Sequence, residues 1–378
     1  VNRSQRARKL KDWGLEEGFD RVGVARLQPS ANGEFLRQWL ARGHHAGMGY
    51  LDRRAEIRLD PRELFPGACS VLCVALQYHP LSDEGEGAAA GDLWPRVARY
   101  AHGLDYHLVM EQRLRRLAER VEQAFPGTTT RVYVDTGPVL ERELAARAGL
   151  GAVGKNTNLL HAEGGSWFLL GELFSSLDLE PDTRAGDLCG TCTQCLEACP
   201  TGALPRPYQL DSRRCISYWT IEHRGSLPPE VRPLLGDWVF GCDVCQDVCP
   251  VNEVVAPVDQ PELALPEARA NLDLAALLNL QRSEYVERFR GSAMKRAKLE
   301  GLQRNAAVVM GNSKSPRYLA ALIEALTHEE ALVRRHVAWA LGQIGGSGAE
   351  EALKRARASE IDRQVQEEID QALAIVDP

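Results

Sequence analysis

No apolar run in these 378 residues approaches the ~18 needed to span a bilayer, so no membrane domain is expected. The polar, basic start Val1–Lys11 lacks the apolar middle of a secretory signal, which points to a cytoplasmic protein. Positive charge is not in excess either: a net charge of −7 argues against a cationic coat while leaving room for a local basic patch. Cysteine is absent from most of the chain. Eight of the ten fall between Cys189 and Cys249, and in a long chain without a signal such clustering favours metal ligation over disulfides. The other two, Cys69 and Cys73, lie four apart in an apolar run and read as buried, inert thiols on one strand face.

What is present suits two or three globular domains, with 44% hydrophobic and 26% charged residues. Residues 1–184 read as an α/β domain. A helix is expected over 4–17, strands over 21–25, 70–77 and 130–134, and a helix over 106–124 with Leu108, Leu114, Leu117 and Val121 at helical spacing. Pro138 is expected to open a helix over 139–148 that Gly149 stops, and 158–161 with 167–174 to form a β-hairpin across Gly164 and Gly165. Segment 81–92 is small and acidic, the pattern of a surface loop. Residues 185–265 form a ferredoxin-like cysteine module that ends in a proline-punctuated linker, Pro250–Pro266. Residues 266–378 are helical. Their stretches 306–311, 337–342 and 369–373 recur at spacings of 31 and 32, the period of HEAT-like paired helices.

Cys189-x2-Cys192-x2-Cys195-x3-Cys199-Pro200 is the bacterial [4Fe–4S] spacing. Cys242-x2-Cys245-x3-Cys249-Pro250 repeats its end, and Cys215 supplies the missing member at a distance. In two-cluster ferredoxins the fourth cysteine crosses to the other cluster. That rule assigns Cys189, Cys192, Cys195 and Cys249 to one cluster and Cys199, Cys215, Cys242 and Cys245 to the second. Zinc also takes four thiolates, but two CxxxCP endings are redundant for zinc and expected for a pair of cubanes. Paired clusters relay electrons, and nothing in this module could bind a substrate, so the reaction site belongs to the N-terminal part.

Four stretches flank these cysteines in order: Val134-Asp135-Thr136-Gly137-Pro138, GAVGKNTN from Gly151, GSWFLLGE from Gly165, and RRCISYWT from Arg213. With Arg58-Leu59-Asp60-Pro61 and Phe65-Pro66-Gly67-Ala68 they resemble the epoxyqueuosine reductase family over nearly the whole chain. The resemblance implies a cobalamin-dependent oxidoreductase, related in its core to reductive dehalogenases. Such an enzyme removes the epoxide oxygen of epoxyqueuosine at the tRNA wobble position, fed by an unidentified low-potential electron donor, and a monomer is expected. No Asp-x-His-x-x-Gly stretch is present, so no protein histidine is expected beneath the cobalt.

Opening an epoxide develops negative charge on its oxygen and requires an acid within hydrogen-bond reach. The resemblance makes Asp135 that acid, at a strand's carboxyl end where α/β sites collect. Position alone favours a cap for the helix after Pro138. The resemblance further sets Arg58 against an amide or the nucleotide-tail phosphate of cobalamin, and Leu159 and Leu170, on facing hairpin strands, against the corrin. Ser217 and Gly241 fall beside clusters and, more weakly, cobalamin. Asn156 and Asn158 are polar cofactor contacts, Lys155 faces tRNA or the cofactor amides, and His107 reads as a satisfied helix-start histidine.

Between Arg288 and Arg304 six basic residues (Arg288, Arg290, Lys295, Arg296, Lys298, Arg304) meet one acid, Glu300. Extended by Lys314, Arg317, Arg334, Arg335 and His336, they make a stripe suited to tRNA phosphates, with Arg296, Lys298 and Arg304 as its core. Tyr218 and Trp219 could stack on splayed anticodon bases. Two other readings fit the clusters: a dehalogenase acting on a small organohalide, which leaves the basic repeats unused, and an electron-transfer or scaffold protein.

Overall fold

The computed structural model describes residues 1–79, 95–253, 255–264 and 272–376; the expected loop at 81–92 and part of the 250–266 linker lie outside them. The chain does not divide after 184 and 265 into three consecutive domains. It forms two compact units that interleave in sequence, one of residues 1–79, 103–213 and 243–264, the other of 95–102, 214–242 and 272–376. The cysteine module divides between the two units, with residues 214–242 in the second. Its apolar middle, with Leu227, Leu235, Val239 and Phe240 fully buried, belongs to the core of the second unit.

Eight strands are described, in chain order β1 (Arg21–Arg26), β2 (Ser70–Gln77), β3 (Arg96–Val97), β4 (Thr130–Tyr133), β5 (Ala152–Val153), β6 (Leu159–Leu160), β7 (Phe168–Ser175) and β8 (Trp238–Phe240). In the first unit β1-β2-β7-β4 form one sheet, antiparallel at every pairing. The crevice rule for parallel sheets therefore does not explain Asp135; a local turn does, as described below. Every residue of β2 is buried, because helices cover both faces of the sheet. Arg3–Glu16, opened by an Asn2–Gln5 capping box, and Tyr106–Ala124 cover one face. Leu114, Leu117 and Val121 of the latter are fully buried, each worth about 1.5–3 kcal/mol. Leu108 is instead 58% exposed, and Val109 and Met110 point inward.

Glu141–Arg147 covers the other face, packing Leu144, Ala145 and Ala148 on Val71, Cys73 and Phe174. This helix starts at Glu141 rather than Val139, and its first residue follows Leu140, which makes no side-chain cap. The expected hairpin is also not formed. β6 pairs with β5, whereas β7 runs between β2 and β4, leaving a single bridge from His161 to Gly165. An eight-residue apolar strand gains more from the centre of a covered sheet than from a two-stranded ribbon. Leu159 and Leu170 are thus not on facing strands. Cys73 is fully buried in β2, and Cys69 precedes the strand, its Sγ 3.4 Å from the Ser176 carbonyl.

In the second unit β3 and β8 pair in parallel. Helices Leu299–Ser313, Ala331–Ile344 and Arg363–Val376 pack in succession at the recurring motifs. A Cβ on Gly311 would lie 2.6 Å from Trp339 Cζ3, and one on Gly342 2.9 Å from Ala372 Cβ, so both glycines serve close helix approach. A bidentate buried pair, Arg232–Glu368 at 2.6 and 2.9 Å, ties residues 232 and 368 together. Among the described residues no helix is long and apolar enough to cross a membrane.

The expected basic stripe is only partly a surface. Arg296 and Lys298 are exposed, although Arg296 is paired with Glu222 at 2.8 Å. Arg304 is fully buried, His336 likewise, and Arg334 and Arg335 are bonded to Glu360 and Glu368. Helical periodicity turns Arg304 and His336 inward, where backbone groups take up their polar atoms.

Candidate active site and cluster ligands

β4 ends at Tyr133, and the chain then turns sharply at Asp135, whose φ of +51° lies in the left-handed region. Aspartate tolerates that conformation at a modest cost. Thr136 N–H donates to Val134 O at 2.5 Å, closing the turn, and Asp135 N–H donates to Glu141 Oε1 at 2.5 Å. Asp135 therefore does not cap the following helix; the first residue of that helix anchors Asp135. Its side chain is 58% exposed, so burial does not prepare it as an acid.

The group facing it is His107. One ring nitrogen, Nδ1, is 2.7 Å from Asp105 Oδ1, and Nε2 is 3.2 Å from Asp135 Oδ2. Burial opposes the imidazolium, but hydrogen bonds and charge from Asp105 and Asp135 outweigh it and raise the pKa to about 9. At neutral pH both ring nitrogens carry protons and donate to the two carboxylates. His107 is a helix-start residue, as its position suggests, and also the residue that holds a proton against Asp135.

Two carboxyl groups escaped sequence reasoning. Half-buried Glu141 is pushed up to about 7 by desolvation and by the charge of Asp135. Glu172, in β7 opposite Cys73 and Tyr133, is fully buried, and among the described residues neither of its oxygens has a hydrogen-bond partner. Burial, reinforced by Glu141 and Asp135, holds it well above the ordinary carboxylate range and therefore neutral. The one signal for it was a glutamate inside the apolar stretch Leu169–Phe174.

Arg58 reaches the same loop, Nη1 donating to Gly137 O at 3.2 Å. Burial draws its guanidinium below the usual value, and its buried Nε has no hydrogen-bond partner among the described residues. A buried cationic group with an unspent donor fits an anionic or amide-bearing cofactor. Two of the other expected cofactor contacts, Asn156 and Leu159, have partners within the protein. Asn156 Nδ2 donates to Cys245 O at 3.1 Å and its Oδ1 accepts from Asn158 N–H at 3.1 Å. Leu159 lies in the hydrophobic core, and Leu170 is half-buried against it. Lys155 is tied to the cysteine module: its Nζ donates to Gly190 O and Cys192 O at 2.7 and 2.8 Å, and its backbone N–H donates to Cys189 Sγ at 3.4 Å.

Among the described residues no two cysteines form a disulfide. Cys189, Cys192, Cys195 and Cys249 come together: burial and then the charges of Cys189, Cys249 and Cys192 raise the Cys195 thiol, and Cys249 responds to burial and, further down, to Cys189 and Cys192. Cys199 Sγ accepts from Ala203 N–H at 3.3 Å. Backbone N–H groups aimed at sulfur favour thiolates and suit cluster ligands. In the second unit Cys215 precedes a π-helical turn, Tyr218–Glu222, whose first flank is half-buried Ser217. Gly241, at φ +71°, immediately precedes Cys242.

Three family models match the sequence: "Epoxyqueuosine reductase QueG, DUF1730" over residues 58–136, "4Fe-4S double cluster binding domain" over 188–252 and "HEAT repeats" over 290–374. Curated epoxyqueuosine reductases from Xanthomonas campestris and Pseudomonas aeruginosa are 42% and 41% identical, over 90% of this chain and 96% and 94% of theirs. A crystal structure of epoxyqueuosine reductase with an epoxyqueuosine-modified tRNA-Tyr stem loop superposes with a TM-score of 0.92 at 30% identity, covering 99% of both chains. The Bacillus subtilis enzyme, solved with its catalytic aspartate loop swung out of the active site, also gives 0.92 at 30% identity, covering 98% of this chain and 99% of that one. By sequence and by structure, over nearly its whole length, the chain belongs to the epoxyqueuosine reductase family.

Proposed function

We propose that this chain reduces the epoxide of epoxyqueuosine in tRNA to the alkene of queuosine, with Asp135 as the proton donor. The observation that carries the assignment of Asp135 is its 3.2 Å contact with the His107 imidazolium. Removing an epoxide oxygen as water consumes two electrons and two protons. Cobalamin, when bound, supplies a strongly reducing, nucleophilic cobalt centre, and the two [4Fe–4S] clusters deliver electrons to the site.

The protein residues do the rest. Arg58, Asn158 and Leu170 are the expected contacts that remain available to the corrinoid, with Arg58 Nε the unspent donor. Cys189, Cys192, Cys195 and Cys249 hold one cluster; Cys199, Cys215, Cys242 and Cys245 hold the other by the spacing of the motif. The proton on His107 Nε2 passes across the hydrogen bond to Asp135, which delivers it to the oxygen as negative charge develops there, and solvent at the exposed Asp135 supplies the second proton. Glu141 fixes the backbone of Asp135, so that the carboxyl group stays aimed as substrate arrives. A low-potential donor supplies electrons, a monomer suffices, and Lys298 with Arg296 contributes phosphate contacts.

Asp135→Asn keeps the size of the side chain and removes its transferable proton. The variant is expected to retain iron, cobalamin and tRNA affinity and to lose roughly 10²–10⁴-fold in turnover, the usual worth of a positioned general acid. Retained turnover would assign protonation to another group.

A further inference from the structure

Arg304 stands in a basic run, yet its side chain is wholly interior and all its donors are spent within the protein. Nη1 donates to His223 O and Gly225 O at 2.9 and 2.8 Å, and Nη2 to Trp219 O at 2.7 Å. Nε and Nη2 also reach Asn305 Oδ1 at 3.0 and 2.9 Å. The three carbonyls belong to the π-helical turn after Cys215 and the loop that leaves it, and Trp219 N–H itself donates to Cys215 O at 3.2 Å.

The neighbouring Asn305 binds a second segment to the first. Its Nδ2 donates to Thr220 O at 2.9 Å and to Val239 O at 2.8 Å, so one amide joins the turn after Cys215 to the strand before Cys242. Thr220 Oγ1 completes the link by accepting Gly241 N–H at 2.9 Å. Gly241 is required there: its φ is +71°, and a Cβ would sit 2.5 Å from Ala98 Cβ.

We propose that Arg304 and Asn305, at the centre of helix Leu299–Ser313, are positioning residues for Cys215 and Cys242, making the start of the helical repeats a structural part of the second cluster's site. The inference rests on the reading of these two cysteines as cluster ligands. Charge supports it. Among the described residues no carboxylate lies within 4.0 Å of Arg304, and desolvation brings its guanidinium down to about 9. Burying a cation with no counter-ion is costly, and a [4Fe–4S] cluster held by Cys215, whose carbonyl accepts from the Trp219 N–H, would be an anion.

The test reconstitutes the full chain anaerobically with iron and sulfide as wild type, Arg304→Gln, Asn305→Ala, Thr220→Val and, as a control, Glu368→Gln. Glu368→Gln breaks the buried Arg232 pair elsewhere in the same unit. Iron and sulfide per chain, the electron paramagnetic resonance of the reduced protein and the melting temperature are measured. The first three variants should fall from about eight irons to about four and lose one of the two reduced-cluster signals. Glu368→Gln should melt earlier and keep about eight. Should Arg304→Gln fail to fold, the near-isosteric Thr220→Val carries the same test. Folded variants with about eight irons and unaltered signals, or equal iron loss in Glu368→Gln, would overturn the proposal. A wild type that takes up no iron would instead refute the ligand reading itself.

Discussion

Replacing Asp105 by asparagine separates the proton on His107 from the carboxyl group that uses it. Asparagine is as good a helix cap as aspartate, so the His107 N–H bond that opens helix Tyr106–Ala124 survives. What is lost is the carboxylate 2.7 Å from Nδ1. His107 titrates at about 9 against 6.5 for the free side chain. Its bridging bonds therefore stabilise the fold fully below pH 6.5, and that stabilisation disappears as pH rises through about 9. If the substitution lowers the pKa by one to two units, the imidazolium fraction at pH 8.5 falls from about three-quarters to between about a quarter and about 3%. Single-turnover reduction should then drop roughly 3- to 25-fold at pH 8.5 while changing little at pH 6, and its alkaline limb should move down by the same one to two units. The assay follows epoxyqueuosine loss in a tRNA stem loop by mass spectrometry from pH 6 to 9.5, with iron and corrinoid content matched. Superimposable pH profiles would show that His107 does not hold the proton that Asp135 delivers.

Cys69→Ala and Cys73→Ala should leave iron content unchanged, because one lies beside and the other within an apolar strand away from the ligating set; loss of four irons from either would refute the ligand assignment. Neutralising Arg296 and Lys298 together should weaken tRNA binding and flatten the salt dependence of log Kd by about 0.7–0.9 for each phosphate that no longer meets a cation. Titrations at several salt concentrations check this, and an unchanged slope would place the tRNA elsewhere.

The cysteine spacing and the motif order carry the family, the two clusters and Asp135 without any knowledge of the fold, since these are properties of types and intervals. The central strand β2 and helix Tyr106–Ala124 are equally legible, because a continuous apolar run and a 3.6-residue period each admit few alternatives. Other features depend on which way a side chain turns. Arg304 and the solvated Lys298 differ by six positions in one basic run, and only packing decides that the former is interior. β7 fails as a hairpin partner because Gly164-Gly165 signals a turn but not where the next strand will pair. From position alone Asp135 reads as a cap for want of the long-range contact from His107, and the carbonyls of Gly190 and Cys192 that hold Lys155 leave no mark in the sequence around it. The interleaving of the two units follows from tertiary packing of residues 214–242 and leaves no boundary mark in composition.

The central claim is tested most directly by one anaerobic reaction: full-length chain reconstituted with iron, sulfide and cobalamin, a chemical reductant, and a tRNA anticodon stem loop carrying epoxyqueuosine. The account predicts that the modified nucleoside loses one oxygen to become queuosine, with conversion dependent on both clusters and corrinoid and suppressed roughly 10²–10⁴-fold in Asp135→Asn. An unchanged nucleoside from enzyme holding about eight irons and bound corrinoid would contradict it.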